Sequence, residues 1–326
     1  MNVKRWIVVI VLTGLCSGLT AFAQARAGAG IGPFGLQTTR GNFSVRLLRR
    51  DKDTLWVIKD SASGGTFEAG VPLAELKMIE MPTPRAFLAA EHAISADQVR
   101  AANDGLDRVM QSLKPFRGLP GIPYDEALLR KGQLSARQGL WRDAVRYYED
   151  ILQQPYESAQ KEPARIRAGI ACELAGEHEA ALQHLEEMTL PQDDDELLSS
   201  ALFARGSARA GVEDYPGALM DYLYLVVFHP YVQNNEARCL EAALPCYAEI
   251  EDWESFLKTI QWLRREHAGS RETARAEELF AEHRKKLELA GQFVDGDVGP
   301  PTSEPADETG AGPDVGEATI DDIEVD

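Results

Sequence analysis

The sequence predicts a mainly α protein: an α-solenoid of stacked helix pairs, preceded by a small antiparallel β-barrel-like module and followed by a disordered acidic tail. Three observations carry this. Glycine recurs at Gly132, Gly169 and Gly206, 37 residues apart each time, and twelve residues after each comes an alanine: Ala144, Ala181, Ala218. Residues 36–82 alternate apolar and polar side chains in short runs broken by turns, the period of half-buried strands. After Gly291 come eleven acids and no base, interspersed with Gly and Pro, a composition that cannot bury a core.

Composition sets bounds on partners. The chain has 326 residues, 44% hydrophobic and 26% charged, which is ordinary globular usage with room for more than one domain. Lys and Arg number 34 against 52 Asp and Glu, a net charge of −18. A surface that tracks phosphates needs the opposite sign, so nucleic acid is not an expected partner.

The first segment reads as an address. Lys4 and Arg5 precede an apolar run over 6–12, and Ala21-Phe22-Ala23 supplies a small-x-small site. This is the order of a secretory signal over 1–23, with Gln24 as the mature start and the periplasm or the medium as destination. An uncleaved N-terminal anchor is the alternative, although Thr13, Gly14, Ser17 and Gly18 interrupt the run and leave it short of the ~20 residues of a membrane span. Association with a membrane is otherwise expected only through partners. Residues 24–35, rich in glycine, read as a linker. They lack the preceding strand and following helix that a phosphate-binding glycine loop requires.

The β module spans 36–82. Strands are expected at 43–48, 55–59, 66–69 and 77–81, with turns at Asp51-Lys52-Asp53, Ser63-Gly64-Gly65 and Ala74-Glu75-Leu76. This run resembles the Sm-like or SH3-like barrels found in front of helical repeats in some bacterial envelope proteins. In an exported acidic chain the resemblance implies partner docking or self-association rather than RNA binding. Residues 84–121 read as a helical connector or degenerate repeat. A first helix is expected at 84–93, and a second opens at Ser95 with Gln98 completing a capping box. Its apolar face is Val99, Ala102, Leu106, Val109, Met110 and Leu113.

The repeats occupy 123–290. Four residues beyond each alanine stands a large side chain, Tyr148, Leu185 or Tyr222. This pattern resembles the tetratricopeptide repeat, a helix–turn–helix of ~34 residues with small residues where its helices touch. The resemblance makes Gly132, Ala144, Tyr148, Gly169, Ala181, Gly206, Ala218 and Tyr222 structural. It implies a concave groove lined by Leu129, Gln133, Ile166, Ile170, Phe203 and Ser207, more apolar than charged, fit for a protein or peptide ligand. A fourth unit is degenerate, with its first helix at 239–250, Pro245 inside it, its second opening at Asp252-Trp253-Glu254, and Phe256 at the small position. A charged helix at 271–289 reads as the polar cap a solenoid needs.

No reactive constellation emerges, so no cofactor, metal or catalytic residue is expected and the chain reads as non-enzymatic. His178-Glu179 and His184 lack the i, i+4 histidine spacing of a zinc helix and read as solvated. Cys172, Cys239 and Cys246 read as buried thiols, the last two being ~10.5 Å apart on one helix, too far to bridge. Trp141, Tyr147, Tyr148, Tyr222 and Tyr224 read mostly as core. The functional expectation is an exported protein–protein interaction scaffold. Two alternatives stay open: an accessory subunit of an envelope or polysaccharide-processing enzyme complex, and a structural oligomer built through the β module.

Overall fold

The computed structural model describes residues 30–61, 64–82 and 96–289, with positions 89 and 291. The expected signal, the helix at 84–93 and the acidic tail lie outside the described residues. Within them a five-stranded antiparallel sheet precedes ten α-helices, and the chain divides into two units, Met1–Cys246 and Tyr247–Asp326.

The sheet comprises β1 (Ile31–Thr38), β2 (Gly41–Asp51), β3 (Thr54–Asp60), β4 (Thr66–Pro72) and β5 (Leu76–Glu80), in the order β4-β3-β2-β1-β5. The last four were expected. The first corrects the linker reading of 24–35, because Ile31 onward is a strand between β2 and β5. Its glycines serve close approach rather than flexibility: a Cβ on Gly35 would lie 2.3 Å from Glu80 Oε2. Alternation places Leu36, Val45, Leu47, Leu55, Val57 and Ile79 in one core. Two more members of that core, Phe116 and Leu119, come from beyond the sheet. The same connector covers the β5 edge. Ile79 N–H donates to Pro120 O at 2.9 Å, and Gly121 sits so close that a Cβ would lie 2.0 Å from Ile79 O. Covering an edge in this way removes a row of unpaired backbone groups.

Helix α1 (Ala96–Leu113) buries Val99, Ala102, Leu106 and Leu113 as the periodicity predicts. Then come α2 (Tyr124–Arg137), α3 (Trp141–Leu152), α4 (Lys161–Leu174), α5 (His178–Leu185), α6 (Asp195–Gly211) and α7 (Tyr215–Phe228). Each packs on the next, and α4 also reaches α6. The turns inside the α2–α3, α4–α5 and α6–α7 pairs are alike. Gly139, Gly176 and Glu213 all have left-handed backbone, with φ of 72°, 77° and 67°. Each donates its N–H to a carbonyl three residues back, and the following residue, Leu140, Glu177 or Asp214, donates to one five residues back. The repeat glycines behave alike too. A Cβ on Gly132, Gly169 or Gly206 would lie 2.3, 2.4 or 2.7 Å from Tyr148, Leu185 or Tyr222. Ala144, Ala181 and Ala218 are fully buried.

Helix α8 (Asn235–Glu249) carries Pro245 and runs across the boundary between the units. In the second unit, Glu251 repeats the left-handed turn at φ 58°. Helices α9 (Trp253–Glu266) and α10 (Arg271–Leu289) pack together, joined by the Arg264 fork on Glu277 at 2.5 and 2.7 Å.

Candidate functional site: the outer face of α7

Helix α7 is apolar nearly all round, a composition that normally belongs to a fully covered helix. Its inner side is accounted for: Ala218, Leu219, Tyr222, Leu225 and Val226 are buried. Its outer side is not. Met220, Val227, Phe228 and Tyr231 are 73%, 66%, 64% and 94% exposed, with Leu223 and Tyr224 exposed between them. Met220, Leu223, Tyr224, Val227 and Phe228 recur at i, i+3, i+4, i+7 and i+8, one continuous stripe, and Tyr231 follows three residues after the helix ends at Phe228. Together they present on the order of 600 Å² of apolar surface, a patch size associated with binding sites. Rings organise it: Tyr224 and Phe228 centroids lie 4.7 Å apart, and His229 lies 6.0 Å from Tyr224. Asp214 holds the start of the helix by accepting a hydrogen bond from Gly217 N–H at 3.1 Å.

The stripe carries no charge. The one charged side chain on α7, Asp221, is buried and points inward, where Arg205 donates to it at 2.6 and 3.0 Å and Arg209 at 3.0 Å. The other helices supply a comparison. At the positions matching Met220, Leu223, Tyr224, Val227 and Phe228, helix α3 and the two residues after it have Arg146, Glu149, Asp150, Gln153 and Gln154. Helix α9 has Lys258, Gln261, Trp262, Arg265 and Glu266. Apart from Trp262, the matching residues of α3 and α9 are polar, whereas all five on α7 are apolar. At 14 residues α7 is too short to span a bilayer core, and no described helix is long and apolar enough to cross a membrane.

The six expected groove residues fare differently. Leu129 and Ile166 are buried, which corrects their placement on an open face. Leu129 packs with Leu113, Tyr124 and Tyr148, and Ile166 belongs to a helix packed by α3, α5 and α6. Gln133, Ile170, Phe203 and Ser207 are half-buried. The structure brings two of them together around Tyr222. Its ring lies 5.4 Å from Phe203, and its hydroxyl donates to Ser207 Oγ at 3.2 Å. The Arg238 guanidinium covers the other side of Phe203 at 3.7 Å, and burial lowers its pKa. Phe203 and Ser207 are thus engaged internally.

Tyr224 is a second correction, lying on the exposed stripe rather than in the core. The histidines are a third. His178 Nδ1 lies 2.8 Å from Glu173 Oε2, and burial lowers the pKa of His184, so both are half-buried rather than fully solvated. Cys172, Cys239 and Cys246 are free and buried. Among the described residues no group of three or more His, Cys, Asp or Glu is placed to hold a metal.

No family model matches the chain, and no curated protein matches it either.

Proposed function

We propose that this chain is an exported, non-enzymatic interaction scaffold: a tetratricopeptide-type solenoid behind a small Sm-like barrel, with its docking surface on the outer face of α7. The observation that carries the docking reading is the charge-free stripe from Met220 to Phe228 on a helix whose counterparts α3 and α9 are polar there at every position but Trp262. The recurring left-handed turn and the glycine pressed by the side chain sixteen residues on support the repeat reading. The strand order supports the barrel reading, and the order of Lys4-Arg5, apolar run and Ala21-Phe22-Ala23 supports export. The partner binds through hydrophobic anchors on one helical face.

The test is a photo-crosslinking residue placed at Val227 and, as control, at Arg146. Full-length protein expressed in its own cells and irradiated is expected to give a discrete higher-mass adduct from position 227 and none from 146. The same adducts from both positions, or none from either, would overturn the reading.

A further inference from the structure

The geometry points to the chemistry of the occupant: an amphipathic helix of a protein partner, with Lys or Arg at both ends of its apolar stripe, lies on α7. This rests on the docking reading above. Both ends of the α7 stripe are acidic. At one end stand Asp193, Asp194, Asp195 and Glu196, all exposed. Asp195 Oδ1 lies 3.8 Å from His229 Nδ1, and that histidine ring stands beside Tyr224, so the acidic turn adjoins the stripe. At the other end stand Glu213 and Asp214, exposed, immediately before α7.

Little positive charge offsets them. The sequence holds no lysine from 162 to 257. Arg205 and Arg209 are engaged by Asp221 beneath the helix, and Arg209 also lies 3.9 Å from Asp214 and from Glu186. The surface is therefore apolar in the middle and negative at both ends. Two copies laid stripe on stripe would set acid against acid in either direction: residues 213 and 214 against 193–196 when antiparallel, like against like when parallel. Like-charge juxtaposition across an interface is costly, whereas opposite charges on a rim raise the association rate and fix register. An anionic lipid surface is disfavoured for the same reason. A partner helix with basic ends satisfies both the stripe and its rim.

The experiment uses a fluorescent synthetic peptide, a four-turn helix with leucines at i, i+3, i+4 and i+7 and three lysines at each end. Its control has glutamates in place of the lysines. Anisotropy is read against the mature chain and two variants. One gives α7 the residues of α3: Met220→Arg, Leu223→Glu, Tyr224→Asp, Val227→Gln and Phe228→Gln. The other neutralises the rim: Asp193→Asn, Asp195→Asn, Glu196→Gln and Glu213→Gln. Asp194 and Asp214 are retained because they cap helices through Leu197 N–H and Gly217 N–H. Circular dichroism checks that both variants fold.

The lysine peptide is expected to bind the mature chain about tenfold or more tightly than the glutamate peptide, to lose about tenfold on either variant, and to weaken with salt. The acidic tail is present in all three proteins, so it contributes equally. Equal binding of the two peptides, or no effect of the rim variant, would overturn the basic-ended partner while leaving α7 as a docking face. Sedimentation velocity separates the remaining outcomes. A dimer abolished by the α3-like face would identify a second copy as the occupant. Binding and sedimentation both unchanged by that variant would overturn the docking reading itself.

Discussion

The helix pairs are written in single residues. Gly206 is glycine because the Tyr222 ring rests on it: a Cβ would lie 2.7 Å from Cε1. Overpacking of this kind costs about 1–3 kcal/mol. Gly206→Ala is therefore expected to lower the unfolding free energy measured in urea by about that amount, and the added change Tyr222→Leu should recover part of it in a double-mutant cycle. At Glu213 the opposite holds. Its left-handed backbone, φ 67°, matches Gly139 and Gly176 in the sister turns, yet it bears a side chain that this region disfavours. Glu213→Gly is expected to stabilise by about 0.5–1 kcal/mol, the relief of strain being partly offset by a freer unfolded chain. A midpoint that falls would mean the glutamate makes a compensating contact.

At the scale of elements, one side chain ties the segment between sheet and helices to the helices that follow. The Arg117 guanidinium donates to Asp125 Oδ1 at 3.0 and 3.1 Å, to Asp150 Oδ1 at 3.1 Å and to the Tyr156 hydroxyl at 2.9 Å. Its backbone carbonyl accepts from Arg50 of β2 at 2.9 Å. Removing the fork leaves Asp125 buried without its cation, a change worth about 3 kcal/mol or more. Arg117→Met should therefore destabilise the first unit by about 3 kcal/mol in urea, and Arg117→Lys should recover little, since an ammonium cannot serve several acceptors in one plane. Full stability with lysine would show that charge alone holds the junction.

Much of this architecture was legible beforehand. Alternation located β2 to β5, and the 3.6-residue period located α1. The repeat glycines marked the helix pairs. What escaped did so for identifiable reasons. β1 was hidden because Gly30, Gly32 and Gly35, which let it lie close to its neighbours, read as linker. Phe116 and Leu119 sit between a proline and a glycine and read as a helix stop, while their partners lie in a sheet many residues earlier. Leu129 and Ile166 occupied groove positions by resemblance, but neighbouring helices cover them. The α7 stripe was readable in principle: aligning Met220, Tyr224 and Val227 with Arg146, Asp150 and Gln153 exposes it, whereas a search for core periodicity absorbs it.

For the whole molecule, burial sets the alkaline limit. It pushes the thiols of Cys172 and Cys246 up to about 11 and that of Cys239 up to about 12, from an ordinary 9.0. Burial likewise raises the Tyr156 hydroxyl to about 12 from 10.0. A raised folded value means the native state holds its proton where the unfolded chain has lost it. The associated stability is complete below pH 9 and declines as pH rises through 11 and 12. Urea midpoints measured from neutral to alkaline pH should stay level and then fall above pH 9, less steeply in a Cys172→Ala, Cys239→Ala, Cys246→Ala variant once its lower baseline is subtracted. At neutral pH the native thiols should resist a thiol-specific reagent and react promptly in denaturant.

The two side chains that complete the sheet's core have a consequence in time. Synthesis runs from the N-terminus, so the five strands are polymerised before Phe116 and Leu119 exist. From Glu80, the last residue of β5, to Leu119 the ribosome adds 39 residues, roughly 2–8 s of elongation at 5–20 residues per second. Throughout that interval the strands lack their floor and, without Pro120, the cover of the β5 edge, so the sheet cannot be completed until the connector has been made. A gene fragment cut after β5 makes that interval permanent.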